Sequence, residues 1–207
     1  MSTRPRAAWT TASAVALLLI LVVPVAAREA VDPTSLNPPP PSQFNPVCET
    51  IGRGVLCTIE FSDPVVANEP AGIVCGSVEL HISLTRSIVG KRFYDADGNL
   101  TQRHFRESYT GTFSNPETGN VAEWVQHDTI INNLGIPGDP STGTTQISGQ
   151  FVRVWIDGGG TILTGAGTFL FNEATGELLR DGGKHPIDDY FTGVDPDALE
   201  PLCEALD

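Results

Sequence analysis

The chain has 207 residues, of which 12 are basic and 25 acidic, giving a formal net charge of -13 at pH 7. A chain this acidic is a poor partner for nucleic acid or an anionic membrane surface, so we expect neither. Its 40% of hydrophobic residues can form a core, but 21 Gly and 16 Pro disfavour a helical protein and indicate an all-β fold.

Residues 1–27 have the three-part pattern of a secretory signal peptide. Arg4 and Arg6 precede an apolar run over residues 14–23, and the small residues Val25–Ala27 follow it. A membrane anchor needs about 18 apolar residues, so this shorter run predicts a cleaved leader and no membrane insertion afterwards. Removing the two arginines leaves 12 − 2 = 10 basic against 25 acidic residues, a mature charge of -15. We therefore predict a secreted protein.

The remaining chain divides by composition into two parts. Residues 28–54 include Pro33, Pro38–Pro41 and Pro46, which is typical of an extended arm. Residues 55–207 alternate apolar and polar residues between Gly, Asn and Asp turns, which is typical of antiparallel hairpins and predicts a single domain.

The mature chain has four cysteines, an even number that favours two disulfides in an oxidising compartment. We predict a pair between Cys48 and Cys57 across a short turn, and a pair between Cys75 and Cys203 that ties a long strand to the C-terminus. The other two pairings remain open at this point. No Cys-x-x-Cys spacing occurs, so the cysteines are not expected to bind a metal.

The turn positions predict seven strands connected as a meander. A sheet of such long strands exposes two edges, so we predict its closure into a single β-barrel of about seven or eight strands. Leucines on one face predict a short helix near the C-terminus, placed at one end of the barrel and opened by Pro196. The predicted strands cover residues 55–62, 76–94, 99–114, 120–132, 145–157, 161–172 and 177–185.

The turn lengths also predict which side chains share the inner face. If Asp97 and Gly98 form a two-residue turn and the next loop has four residues, the alternation places an aromatic and polar set inside the barrel. In this register Glu107 lies opposite Asp128. The candidate ligand-binding residues are Arg103, Phe105, Glu107, Tyr109, Phe113, Trp124, Gln126, Asp128 and, from a later strand, Arg153.

Two facing carboxylates inside a barrel repel each other unless one is protonated or a cation lies between them. Arg103 or Arg153 could supply that cation. Glu107 and Asp128 are therefore candidate catalytic residues for acid–base chemistry, or candidates for orienting a ligand. A register shifted by one residue would instead turn both carboxylates to water.

Other chemistry-bearing patterns find no support. His81, His104 and His127 fall at different heights on their strands, more than about 10 Å apart along the strands, so we expect no metal site there. The chain has no cofactor-binding or hydrolase motif, so we expect no cofactor. His185 lies near Asp188 in what we interpret as a loop.

Several features together resemble a group of secreted bacterial proteins. They are the leader, the proline-rich arm, the turns Phe93–Asn99 and Asn115–Gly119, and the terminal Leu202–Leu206 helix. The architecture of that group looks like the allene oxide cyclase and dirigent barrels, which have a lipocalin-like shape. The resemblance implies a hydrophobic small-molecule ligand and a homotrimer, and it transfers no catalytic residue.

Three functions follow as hypotheses. The first is binding of a small, largely apolar molecule inside the barrel. The second is a cofactor-independent cyclase or isomerase in which Glu107 or Asp128 exchanges protons while Tyr109 or Arg103 stabilises charge. The third is an extracellular structural or interaction module that uses the acidic surface and the proline-rich arm.

Overall fold

The computed structural model describes residues 28–207 except for the side chains of residues 63–65, and the predicted signal peptide lies outside the described residues. Eight antiparallel strands form one sheet in which each strand pairs with the next along the chain. This confirms the predicted all-β meander and its short C-terminal helix. The strands are β1 Val47–Ile51, β2 Gly54–Cys75, β3 Val78–Tyr94, β4 Leu100–Ser114, β5 Val121–Asn133, β6 Thr144–Ile156, β7 Gly160–Asn172 and β8 Leu178–Lys184.

The predicted register of the central hairpins is confirmed. Glu107 on β4 pairs with Asp128 on β5, and Tyr109 pairs with Gln126. The loop between β4 and β5 explains why the alternation of inward and outward side chains predicts this register correctly. Asn115 Oδ1 accepts hydrogen bonds from the backbone N–H groups of Glu117 and Thr118. A polar side chain that closes its own turn in this way fixes the loop length, and the loop length fixes the register.

The predicted closure into a barrel is wrong. β8 pairs with β7 on one side, and among the described residues no other strand pairs with its free edge. β8 has only seven residues, and Pro186 then directs the chain into a helix. The free edge of β2 beyond its pairing with β1 contains Pro70, whose nitrogen has no hydrogen to donate. β1, at the other edge of the sheet, is bridged on its free side by Ala30, which pairs with Glu49.

The two predicted disulfides are confirmed. Cys48 and Cys57 lie directly opposite each other on β1 and β2, with 4.0 Å between their Cα atoms. Cys75, at the end of β2, is bonded to Cys203 in the C-terminal helix across 128 residues of sequence. The second disulfide fixes this helix to one end of the sheet.

Two helices cover one face of the sheet, which we call the inner face. α1 spans Pro186–Thr192 and α2 spans Glu200–Leu206. Leu202 and Leu206 of α2 are fully buried against inner-face residues such as Val154.

The interpretation of residues 184–189 as a loop is also wrong, because α1 begins at Pro186. Proline at the first helical positions, with Asp188 and Asp189 in the first turn, is a recognised start signal. The helix ends at Gly193, which has a left-handed conformation with φ 73°.

The proline-rich segment packs against the sheet. Its end forms β1, a strand that the sequence analysis missed. Leu36 is buried beside Tyr94 and Leu100 in a second apolar cluster. Phe44 packs edge-on against Phe61 of β2, with 5.3 Å between the ring centroids. The segment thus covers the inner face at the end opposite to α2.

Candidate functional site

A cavity of about 320 Å³ lies between α1 and the inner face of the sheet. Its walls are mainly aromatic and aliphatic, with three acidic or amide side chains and one histidine among them. We call it the α1 cavity. It is lined by Ala71, Ile73, Ile82, Phe113, Trp124, Gln126, Asp128, Ile130, Ile147, Phe151, Val152, Phe169, His185, Pro186, Ile187, Asp188 and Phe191.

The position of α1 depends on two glycines of β7. A Cβ atom on Gly165 would lie 2.6 Å from Cδ of Pro186, and one on Gly167 would lie 2.6 Å from Cε1 of His185. Both distances are well inside van der Waals contact. A larger residue at either position would push the start of α1 away from the sheet and change the shape of the cavity.

Asp128 is the most deeply buried acid of the site, with only 7% of its surface exposed. Its Oδ2 accepts a hydrogen bond from Nε2 of Gln126, while its buried Oδ1 has no hydrogen-bond partner. Burial raises the pKa of Asp128, and the charges of Glu107 and Asp188 act in the same direction against the hydrogen bond from Gln126. Part of the Asp128 population is therefore protonated at a pH where a solvated aspartate would be ionised.

Glu107 has a different environment although it is paired with Asp128. It is half-buried, and its Oε2 accepts a hydrogen bond of 2.8 Å from the hydroxyl of Tyr109. Burial and this hydrogen bond to Glu107 raise the pKa of Tyr109, so the phenol stays protonated and continues to donate. Each of the two facing carboxylates thus accepts one hydrogen bond, but Asp128 is more deeply buried than Glu107, and its second oxygen is buried without a partner.

The cation nearest to these acids in the pairing scheme is Arg86, which the sequence analysis missed. Arg86 lies opposite Tyr109 and diagonally across from Glu107, with its guanidinium 5.2 Å from the ring centroid of Phe61. The same alternation that placed Tyr109 inside would have placed Arg86 there too. Arg86 thus lies on the same face as the two carboxylates and next to Tyr109, but it forms no ion pair with Glu107 or Asp128.

The expectation that Arg153 faces the carboxylates is wrong. Its side chain is exposed on the outer face, where Nε donates to Thr161 and the guanidinium lies 5.9 Å from the ring of Trp155. Arg103 does lie on the inner face, but it pairs with Asn132, four residues along β4 from Glu107. At about 3.3 Å per residue this places it some 13 Å from the acids along the strand.

The aromatic candidates fall into two groups. Tyr109 and Phe113 lie on either side of Gly111, the residue that pairs with Trp124. Both rings stack on the indole, with centroid distances of 6.5 Å for Tyr109 and 5.6 Å for Phe113. Phe113 and Trp124 line the α1 cavity together with Gln126. Phe105 instead lines a second, smaller cavity with Glu107. The inner face therefore brings most of the candidates together, but into two adjoining cavities.

His185 contributes more than its interpretation as a loop residue suggested. It is 4% exposed and stacks on Phe169, with 4.0 Å between the ring centroids. Its Nε2 lies 3.0 Å from Oδ1 of Asp181 without the angles of a hydrogen bond, and Nδ1 has no partner. Burial raises the pKa of Asp188 in the next turn, while the charge of His185 opposes this rise.

The sequence analysis did not identify Phe151 of β6 and Phe169 of β7 as residues that line the α1 cavity. A bulge between Gly149 and Val152 lets Phe151 and Val152, although adjacent in sequence, both line the α1 cavity. Strict alternation would have placed them on opposite faces, so the simple two-residue period gave no signal for this arrangement.

The three evenly spaced histidines have separate surroundings. His81 contacts Asn68, His104 packs against Phe93, and His127 lies 2.9 Å from the hydroxyl of Ser108. Within residues 28–207, no group of three or more histidine, cysteine, aspartate or glutamate side chains is placed to hold a metal ion. In the same range, no helix has the length and apolar character needed to cross a membrane.

Comparisons with protein-family models, with curated proteins and with solved structures found no match to this chain. The functional inference therefore depends on the geometry of the inner face alone.

Proposed function

We propose that this protein binds a small, largely apolar molecule in the α1 cavity. The observation that carries the proposal is a preformed cavity of about 320 Å³ whose walls are aromatic and aliphatic and include the buried, unpartnered Oδ1 of Asp128. Apolar walls with a few polar groups are the usual composition of a small-molecule site. An unpaired buried polar atom costs about 1–3 kcal/mol, and a ligand that hydrogen-bonds to it would recover part of that cost.

The two disulfides indicate the compartment in which this function takes place. The Cys75–Cys203 bond holds α2 on the sheet next to α1, in a chain whose cysteines are all oxidised within the described residues. Disulfides persist in oxidising compartments, so we propose that the protein acts after secretion.

The first experiment uses protein purified from its native culture medium. The sample is extracted with organic solvent, and the extract is analysed by mass spectrometry against a blank from the same medium. We expect a small molecule in a molar amount similar to that of the protein. The proposal also predicts binding of the uncharged fluorescent probe N-phenylnaphthylamine by ligand-free protein.

A pair of variants on β6 locates the binding. Ile147 lines the α1 cavity, whereas its neighbour Gln146 is exposed on the outer face. Ile147→Trp fills the cavity and should weaken probe binding about tenfold or more, since it removes the space for an apolar ligand. Gln146→Trp should leave binding unchanged. Equal binding by both variants, each with an unchanged circular dichroism spectrum, would rule out the α1 cavity, and Ile147→Phe serves if the larger replacement does not fold.

A second candidate function is a cofactor-independent acid–base reaction of the cyclase or isomerase type. It is favoured by Asp128, whose raised pKa and free Oδ1 suit a group that gives and takes a proton next to a bound substrate. Asp128 is the better candidate of the two acids, because it is the more deeply buried one and it lines the α1 cavity. The extracted molecule, returned to the protein in deuterated water, should then exchange hydrogen for deuterium.

The Asp128→Asn variant separates the two functions. If the protein is an enzyme, the variant should bind the extracted molecule but lose the deuterium exchange, because an amide cannot take up the proton. Glu107→Gln should keep the exchange. Absence of exchange in the unmodified protein would leave binding as the function.

A further inference from the structure

Two arginines face each other on the inner side of the sheet, away from the α1 cavity. Arg92 on β3 pairs directly with Arg103 on β4. Both side chains are half-buried, and both Nε atoms are buried without a hydrogen-bond partner. Three of the ten basic residues of the mature chain, these two and Arg86, thus point toward the interior of an acidic protein.

Nothing within the described residues neutralises this pair at close range. Among the described side chains of residues 28–62 and 66–207, no carboxylate oxygen lies within 4.0 Å of either guanidinium group. Arg92 has a long contact of 3.5 Å from Nη1 to the carbonyl oxygen of Pro39, and its guanidinium also interacts with the hydroxyl of Tyr94. Burial lowers the pKa of Arg103, and the charge of Arg92 lowers it further, while Glu173 opposes both effects. Like charges placed opposite each other on neighbouring strands destabilise a sheet, and desolvation adds to the cost.

A mainly apolar cavity of about 230 Å³, whose wall also includes Glu107, lies next to this pair on the inner face. Phe105, two residues from Arg103 on the same face of β4, forms part of its wall, and so does Asn132, which pairs with Arg103. The aromatic rings of Phe44 and Phe61 cover it from the proline-rich segment and β2. Ile130 lies between this cavity and the α1 cavity, since it lines both.

We propose that Arg92 and Arg103 bind the oxyanion of an organic ligand, a carboxylate, sulfate or sulfonate group, whose apolar part occupies the cavity beside Phe105. This site goes beyond the proposed function, because the cavity beside Phe105 shares only Ile130 with the α1 cavity. Two guanidinium groups can share the oxygens of one anion through several N–H donors. The bound anion neutralises the like-charge pair and satisfies donors that otherwise have no partner.

The test compares two fluorescent probes of similar shape. Anilinonaphthalene sulfonate carries an anionic group, and N-phenylnaphthylamine carries none. The variants are Arg103→Gln and, as a control, Arg106→Gln, which removes the same charge from the exposed outer face of β4. We expect Arg103→Gln to weaken binding of the sulfonate at least about tenfold, the usual effect of losing a charge-assisted hydrogen bond, and to change binding of the neutral probe less than about twofold.

Further variants keep the result interpretable if Arg103→Gln does not fold. Arg92→Gln should have the same effect on the sulfonate. Arg103→Lys keeps the charge but lacks the planar fork, so it should bind the sulfonate with an affinity between those of the native protein and Arg103→Gln. Unchanged binding of the neutral probe shows that each variant is folded.

The outcomes separate this inference from the proposed function. Equal sulfonate affinity in the native protein, Arg92→Gln and Arg103→Gln, with the neutral probe still bound, overturns the oxyanion site and leaves the proposed function intact. Failure of the native protein to bind the neutral probe overturns the proposed function. Binding of inorganic sulfate as tightly as the sulfonate probe overturns the ligand class, because the apolar cavity would then contribute nothing.

Discussion

The raised pKa of Asp128 makes a prediction about the pH dependence of stability. An acid whose pKa is higher in the folded state than its ordinary value of 3.8 binds more protons when folded than when unfolded in the interval between the two values. The free energy of unfolding therefore falls as pH rises through this interval, and the loss remains at higher pH. For a single group the slope approaches about 1.4 kcal/mol per pH unit, the value for one proton.

Replacing Asp128 with Asn removes the titration and nearly preserves the shape of the side chain. The amide oxygen can still accept from Gln126. We expect the variant to gain stability relative to the native protein as pH rises from about 3 to 7, with the steepest gain just above the ordinary aspartate pKa. Urea unfolding at each pH, followed by circular dichroism, gives the difference in free energy of unfolding between the two proteins.

Asp139 provides a control of opposite sign. Hydrogen bonds from the side chain and backbone of Ser141 lower the pKa of Asp139, so its charged form stabilises the folded state above the ordinary pKa, and this contribution is lost as pH falls. Asp139→Asn should lose relative stability as pH rises. A difference for Asp128→Asn that is flat with pH, or that has the same sign as Asp139→Asn, would refute the assignment of Asp128 as a buried, destabilised carboxylate.

Two further predictions concern the elements that hold the α1 cavity in place. The disulfide of Cys75 and Cys203 closes a loop of 128 residues, so its removal should lower the free energy of unfolding by about 5 kcal/mol through loop entropy, against about 2.5 kcal/mol for the nine-residue loop of Cys48 and Cys57. Urea unfolding of the two variants, each with both cysteines of one disulfide replaced by serine, measures the two losses. Equal losses, or a larger loss for Cys48 and Cys57, would contradict this prediction. Leu202→Ala, at a fully buried position of α2, should lower the free energy of unfolding by about 2–5 kcal/mol, and a loss below about 1 kcal/mol would show that α2 is not packed on the sheet.

The central hairpins illustrate how far local patterns carry. The pairing of Glu107 with Asp128 follows from alternation and two loop lengths, because a strand has a side-chain period of two and each loop fixes the start of the next strand. The same rule places Arg86 on the inner face opposite Tyr109. The even count and spacing of the cysteines similarly pointed to both disulfides.

The bulge on β6 shows where this reasoning ends. Phe151 and Val152 line one cavity only because the backbone between Gly149 and Val152 departs from regular pairing, and this depends on contacts with β7. The open sheet has a similar origin, since segments far apart in the chain determine whether the two edge strands can meet. α1 packs near the end of β2, where the hydroxyl of Tyr190 accepts from the backbone N–H of Val74.

The sequence by itself determined seven of the eight strands in outline, their order, the register of the central hairpins and the disulfide pairs, because these depend on neighbouring segments and short turns. Only the tertiary structure decided that the sheet stays open, that α1 covers a cavity next to Trp124 and Asp128, and that the buried Nε atoms of Arg92 and Arg103 have no partner near a second cavity. These features arise from packing between residues far apart in the chain, where burial and the exclusion of water set both the shape of the site and the charge of its groups.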